Sequence, residues 1–309
     1  MGRCDPVMAQ NPNLKRLRRT MMFLSAQKPS LIKDAYIYGC DSLMFDLEDA
    51  VAENQKDAAR FSLYHTLKTI DYGNTERIVR INGLDTPHWR EDIRVCVAAG
   101  CDGIRIAKTE RAQDVWDVVE HIEKAEKEFD REIGSTLVMS ALESPLGILN
   151  SYEICKAAPE RMLGVAISGG DYRRCLQTGV SKSGIEMLGG RAQMIISARA
   201  AGVQCFDTVF TDLDDMEGFR QEVIQNKEMG FDGKSLISPK QIKIVHEIFT
   251  PSQKEILRAE KIVRAVYENK AKGIGVFTVD GKMIDIAFLE GAERTIKLAK
   301  ASGVYEGDL

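Results

Sequence analysis

Long hydrophobic runs are absent from this sequence. None approaches the ~20 apolar residues that a membrane-spanning helix needs. The first ten residues also lack the apolar core of a secretion signal, so a cytoplasmic protein that meets no membrane is expected. An excess of basic charge is missing too. Lys and Arg number 42 against 46 Asp and Glu, a net charge of −4, which leaves no broad field for nucleic acid. The one basic run, Lys15-Arg-Leu-Arg-Arg19, reads as a solvated face. Histidine is scarce. The four residues, at positions 65, 88, 121 and 246, fall on predicted helices or loops, and none is assigned to catalysis. Seven scattered cysteines (4, 40, 96, 101, 155, 175 and 205) form no CxxC pair and have no histidine set beside them. They read as reduced thiols used mostly in packing. No GxGxxG follows a strand, which argues against a dinucleotide-binding open sheet. No repeat beyond the βα unit and no low-complexity segment occurs.

What is present is alternation. With 309 residues, 44% of them apolar, the chain can bury the core of one large domain, or of a barrel with an appendage. Residues 1–14 read as a disordered N-terminus. Short apolar runs then predict strands at Met21–Leu24, Ser42–Phe45, Arg77–Ile81, Gly103–Ala107, Thr136–Met139, Gly164–Ser168, Gln204–Phe210 and Lys234–Ile237. Helical spacing fills the intervals, at Pro29–Tyr38, Asn54–Ile70, Trp89–Ala99, Arg111–Phe129, Ile148–Ala157, Arg191–Ala201 and Asp215–Met229. The Gly- and Ser-rich stretch Tyr172–Leu188 reads as irregular. Eight βα units over about 240 residues predict a (β/α)8 TIM barrel over 15–250, closed by Pro251. Residues 251–309 predict a helix-hairpin-helix extension: helix Ser252–Lys270, a hairpin turning at Asp280-Gly281, and helix Phe288–Ala301. That piece is too small to fold alone and is expected to pack on the barrel or on a neighbouring subunit.

The stretch Ser140-Ala-Leu-Glu-Ser-Pro-Leu-Gly147 sets the expected site. Pro145 can open a helix, so Glu143 falls at the carboxyl end of a strand, where barrel enzymes keep their chemistry. The next strand ends in Gly169-Gly-Asp171. Two such carboxylates suit a hard cation such as Mg2+, which takes oxygen ligands and keeps waters. On the same face the register places Glu48, Asp49, Arg80, Asn82 and Lys108. Arg80 has two readings, a fork for a substrate carboxylate or an ion pair with the Asp46–Asp49 cluster. Glu48 or Asp49 could instead stabilise a helix N-terminus. Lys108 reads as solvated or ion-paired rather than as a Schiff-base lysine. The Gly169-Gly170 pair reads as room for backbone or ligand to approach the cation. Lys28 and Lys33, beyond the first strand, suit either phosphate groups or plain solvation.

Several ordered motifs carry a resemblance. They are Arg19-Thr-Met-Met-Phe23, Asp46-Leu-Glu-Asp-Ala-Val51, Val79-Arg-Ile-Asn-Gly-Leu-Asp-Thr-Pro87, Leu142-Glu-Ser-Pro-Leu-Gly147, Phe231-Asp-Gly-Lys-Ser-Leu-Ile-Ser-Pro239 and Gly281-Lys-Met-Ile-Asp285. Together they resemble the HpcH/HpaI-type aldolase and citrate lyase beta-subunit family, from about Arg16 to Ala299. The resemblance implies a TIM barrel assembling as trimers or hexamers, with Mg2+ at Glu143 and Asp171. It implies that Arg80 holds the keto acid, that Glu143 also meets substrate, and that Phe23 and Lys28 lie by the acyl-carrier or CoA portion. Asp285 falls at the tail position that enters a neighbouring subunit's site as acid/base, and Asp285 or Glu48 would take the hydroxyl proton. The implied reaction is Mg2+-dependent cleavage of a citryl thioester on acyl carrier protein to oxaloacetate and an acetyl thioester, alongside citrate lyase alpha and gamma subunits. A malyl-CoA or citramalyl-CoA lyase is the enzymatic alternative, and a non-catalytic binding paralogue the other. Three departures bear on substrate: Leu24-Ser-Ala-Gln27 in place of Pro-Gly, Gly170 before Asp171, and Gln177–Gly184 where the family carries arginine.

Overall fold

The computed structural model describes Leu14 and residues 16–309. The expected disorder of 1–14 otherwise lies outside the described residues; Leu14 itself is buried. By contacts the chain forms two compact units, Met1–Val245 and His246–Leu309.

In the first unit eight parallel strands close into a barrel in sequence order. They are β1 (Thr20–Ser25), β2 (Ser42–Asp46), β3 (Glu76–Ile81), β4 (Gly103–Ile106), β5 (Leu137–Leu142), β6 (Met162–Ile167), β7 (Gln204–Asp207) and β8 (Gly233–Leu236). Closure is read from the register, Thr20 pairing with Lys234 and Met22 with Leu236. Alternate residues point inward. Met21, Met44, Ile78, Leu137, Met139, Leu163, Ala166 and Phe206 fill the lumen, with Leu14 packed against them. The connecting helices are α1 (Pro29–Ile32), α2 (Lys56–Thr69), α3 (Trp89–Ala99), α4 (Ala112–Glu128), α5 (Pro145–Leu149), α6 (Ser151–Lys156), α7 (Gly169–Cys175), α8 (Ile185–Ala201), α9 (Met216–Met229) and α10 (Lys240–Phe249), the last running past the boundary between the units.

Three local expectations change. The predicted helix Pro29–Tyr38 breaks after Ile32 and resumes as a 3-10 turn, Ala35–Tyr38. The Tyr72 hydroxyl donates to the Ile32 carbonyl at 2.6 Å, taking the acceptor that a continuous helix would give to Tyr36. The stretch Tyr172–Leu188 is not wholly irregular, because α7 covers its start and α8 begins at Ile185 behind Gly184 in the left-handed region. The basic run is not a solvated face. Arg18 is 1% exposed at the amino-terminal end of the barrel. There its Nε and Nη2 donate to Glu76 at 2.7 and 2.6 Å, its Nη1 donates to Gln204, and Ser42 Oγ donates to the same Glu76. A buried charge is tolerated only when paired this completely.

The second unit contains α11 (Gln253–Ala271), an antiparallel hairpin of β9 (Val276–Val279) and β10 (Lys282–Asp285), and α12 (Ala287–Ala301). Ser252 and Glu255 cap α11 reciprocally, the capping box. Asp280 and Gly281 turn the hairpin with φ of 48° and 73°, positive at both positions as a type I′ turn requires. A small core of its own joins Ala259, Ile262, Val263, Val266, Ile284, Ala292 and Ile296.

Candidate active site at the carboxyl ends of the strands

The site grows from β2. Asp46, 2% exposed, ends that strand and accepts N–H bonds from Glu48 at 3.0 Å and Ala50 at 3.1 Å, which shapes the following loop. On the neighbouring strand Arg80 sits in register with it. Arg80 donates in a fork, Nε to Asp46 Oδ1 at 2.7 Å and Nη2 to Oδ2 at 2.6 Å. Of the two readings of Arg80, the ion pair is therefore present. Its third nitrogen, Nη1, is turned to Glu48 Oε2 at 3.0 Å. Burial raises the pKa of Asp46, but the Arg80 bond outweighs it and holds the carboxyl below its ordinary range.

Glu48 lies between two cations. Lys108 Nζ is 2.6 Å from its Oε1, yet neither this contact nor the one to Arg80 has the angles of a good hydrogen bond. Burial pushes its pKa upward against both neighbours. Neither Glu48 nor Asp49 begins a helix, so the helix-terminus reading fails. Asp49 is exposed, 3.9 Å from both Arg80 and Lys108. Lys108 has a φ of 51°, an unusual value for a side-chain-bearing residue, and its backbone N–H donates to Glu143 Oε1 at 3.3 Å. Burial lowers the Lys108 pKa, but the close Glu48 carboxylate raises it further. Its ion pair with Glu48 matches the expected ion-paired reading of this lysine.

Glu143 follows β5 and is 2% exposed. Its Oε2 is buried with no hydrogen-bond partner among the described residues. Burial pushes its pKa up to about 7, Arg80 pulling it down and Glu48 adding to the rise. Asp171, in the first turn of α7, is half-buried and accepts from Arg174 Nη2 at 2.6 Å. Burial raises its pKa, but the Arg174 bond and the adjoining Glu143 carboxyl bring it below the ordinary value. The two carboxyls are neighbours although no well-formed hydrogen bond joins them. A buried orphan oxygen beside a second, partly open carboxylate is an all-oxygen donor set that fits a hard cation with waters completing its shell. No group of three or more His, Cys, Asp or Glu side chains placed for a metal occurs among the described residues. The two-carboxylate set is thus the candidate.

Gly169 and Gly170 differ in purpose. A Cβ on Gly169 would press within 3.0 Å of Thr208, whereas one on Gly170 would meet nothing within 4 Å. Only the first glycine answers to close packing. Of the other expected residues, Phe23 is at the site, its ring flanked by the guanidiniums of Arg80 at 5.2 Å and Arg105 at 5.1 Å. Lys28 and Lys33 are exposed, and the Lys28 side chain makes no hydrogen bond or ion pair among the described residues. Asn82 is turned away, held through its N–H and Nδ2 by Asp92 at 3.0 and 2.7 Å. Asp285 belongs to the second unit, where its Oδ1 accepts from Ala287 N–H at 2.9 Å. Arg105 was not foreseen. The signal was available, since in Gly103-Ile-Arg-Ile106 the third residue shares the lumen face with the first.

The fork on Asp46 makes Arg80→Lys a two-sided test. Lysine keeps the charge but cannot reach both Asp46 oxygens and Glu48 together. The expected result is a melting temperature lowered by several degrees and turnover reduced at least about tenfold. Lowered stability with turnover like the parent's would leave Arg80 a structural residue only.

The chain is similar to proteins already known. The family described as HpcH/HpaI aldolase/citrate lyase matches residues 19–239. The chain is 46% identical to citrate lyase subunit beta of Leuconostoc mesenteroides subsp. cremoris, over 96% of this chain and 98% of the relative. It is 34% identical to a (3S)-malyl-CoA thioesterase of Cereibacter sphaeroides, over 93% and 96% of the two chains. Among solved structures, protein CitE of Mycobacterium tuberculosis with magnesium, acetoacetate and coenzyme A superposes with a TM-score of 0.74 at 26% identity, covering 92% of this chain and 98% of that one. A citrate lyase beta subunit from M. tuberculosis with oxaloacetate and magnesium gives 0.65 at 26% identity, covering 77% and 100%.

Proposed function

We infer a carbon–carbon cleavage from one premise: the chain belongs to the HpcH/HpaI aldolase/citrate lyase family and is an oxo-acid lyase. The reaction proposed is cleavage of a citryl thioester, carried on acyl carrier protein, to oxaloacetate and an acetyl thioester. The observation that carries it is the orphan Glu143 Oε2 beside Asp171, under the same barrel mouth as Arg80 and Glu48. Glu143 and Asp171 would hold Mg2+, which supplies Lewis acidity to the substrate hydroxyl and its adjacent carboxylate. Arg80, fixed by Asp46, would hold the keto-acid end, and Phe23, whose ring lies 5.2 Å from the Arg80 guanidinium, would line the way to the thioester portion. Lys108 holds Glu48 in place. The hydroxyl proton passes to a carboxylate, either Glu48 on the barrel or Asp285 on the second unit. As the C–C bond breaks, its electron pair enters the thioester as an enolate, and a proton returns to that carbon. Oxaloacetate and the acetyl thioester then account for every atom of the citryl group. The chain would act as a homo-oligomer in company with citrate lyase alpha and gamma subunits. No helix among the described residues is long and apolar enough to cross a membrane.

The test is the purified chain supplied with citryl, citramalyl and malyl thioesters, each on carrier protein and on CoA, with Mg2+ and with chelator. Oxaloacetate released from citryl carrier thioester, abolished by chelation, is the expected result. Turnover confined to malyl- or citramalyl-CoA would assign the chain to the CoA-dependent lyases, and no turnover with any would make it a binding paralogue.

A further inference from the structure

Arg105 is the exception among the deeply buried cations of the barrel. Arg18 is matched by Glu76, Arg161 by Glu126, Arg191 and Lys234 by Asp207, and Arg80 by Asp46. Arg105 is 1% exposed, and its Nε and Nη1 have no hydrogen-bond partner among the described residues. No carboxylate among those residues comes within ion-pair distance of it. Its one direct neighbour of note is the Phe23 ring at 5.1 Å, and a cation over a ring supplies only part of what a stripped guanidinium lacks. Burial and then the nearby Arg80 lower its pKa to about 10, so it is still a cation at neutral pH. A buried charge left without a partner is costly, and a fold that keeps one holds it for a partner that arrives later.

The place of Arg105 says what kind of partner. It lies in register with Arg80 on the adjacent strand, facing the lumen, with Glu143, Asp46 and Glu48 close enough to feel its field. The reaction proposed above, on which this inference rests, needs two anion seats at the keto-acid end. A citryl thioester has one carboxylate next to its hydroxyl and a second on a methylene arm. Malyl and citramalyl thioesters lack the second. The first carboxylate belongs with Glu143, Asp171 and Arg80. We propose that Arg105 receives the second carboxylate and so makes the site select dicarboxylic keto acids over monocarboxylic ones.

The experiment compares oxaloacetate with pyruvate as ligands of the Mg2+-loaded protein, by calorimetry, in the parent and in Arg105→Met, with citryl-thioester cleavage by the parent measured alongside. The parent should bind oxaloacetate at least about tenfold more tightly than pyruvate. Arg105→Met should erase most of that preference, weakening oxaloacetate by about the parent's own tenfold or larger margin with pyruvate little changed, because a group built to bond a substrate atom rejects the analogue lacking it. Equal losses for both ligands, or an unchanged ratio, overturn the proposal. If Arg105→Met does not fold, Arg105→Gln, which keeps an N–H donor but no charge, is read in the same way. A parent that binds pyruvate as tightly as oxaloacetate overturns it with no variant at all. A parent that cleaves citryl thioester while the variant keeps the ratio sinks Arg105 alone. A parent that discriminates the two acids through Arg105 but leaves citryl thioester intact sinks the reaction and spares the anion seat.

Discussion

Glu143→Gln and Asp171→Asn should each weaken Mg2+ binding and lower turnover by at least about 100-fold. That floor follows because groups that merely orient metal ligands already cost 10–100-fold when lost. Each change removes a negative oxygen while keeping the side chain's shape. The pH dependence identifies Glu143 further. Its carboxyl is held up at about 7, so a proton competes with the cation below that value. Apparent Mg2+ affinity should therefore rise about tenfold per unit as pH climbs toward 7 and level off above it. In metal-free protein the sign is opposite for stability. The folded state keeps this proton where the unfolded chain has lost it, so the contribution is full below the ordinary carboxylate value, declines as pH rises, and is gone above about 7. At most about 3 kcal/mol is at stake. Metal-free protein should melt lower at pH 8 than at pH 5.5, and Mg2+ should raise the melting temperature more at pH 8. Glu143→Gln should flatten both trends. If both variants bind Mg2+ and turn over as the parent does, the cation does not sit on these two residues.

How much of this could be read beforehand depends on how far apart in sequence the partners lie. Glu143 was legible because strand, Ser-Pro turn and helix are contiguous, and Ser144 caps α5 as such a junction requires. Asp171 was legible for the same reason on the next strand. Arg80 stayed ambiguous because its two readings differ only in whether the Asp46 oxygens, 34 residues earlier, are within reach of its fork. Arg18 was misread, since a basic run near a terminus looks solvated until Glu76, 58 residues on, is known to close over it. Arg105 escaped notice for a different reason. A four-residue strand with a charge in its third position gives only a faint alternation signal, and the neighbour that marks the position, Phe23, lies 82 residues earlier. Asn82 shows the reverse error. It sits one residue past β3 in a position facing the mouth by simple alternation, yet Asp92 on α3 captures both its N–H groups.

Mixing two inactive variants should restore activity, and this result decides where Asp285 works. The second unit is about sixty residues, with seven buried apolar side chains at its centre, which is a small core for independent stability. It must dock. Inside that unit β10 ends at Asp285, and the bond from Ala287 N–H fixes one carboxylate oxygen while leaving the other to act. Asp285→Ala and Glu143→Ala chains should each be inactive alone. Suppose Asp285 serves the barrel of a neighbour in a closed ring. A site then takes its barrel from one chain and its aspartate from the next, and after equal mixing with full exchange about a quarter of sites hold both intact groups. Activity should return to about a quarter of the parent's. If Asp285 serves its own barrel, every site retains one defect and the mixture stays inactive however long exchange proceeds. Exchange is verified separately with tagged chains, so an inactive mixture after proven exchange rules out the shared site. An Asp285→Ala variant with parental turnover would instead leave Glu48 as the carboxylate that takes the hydroxyl proton.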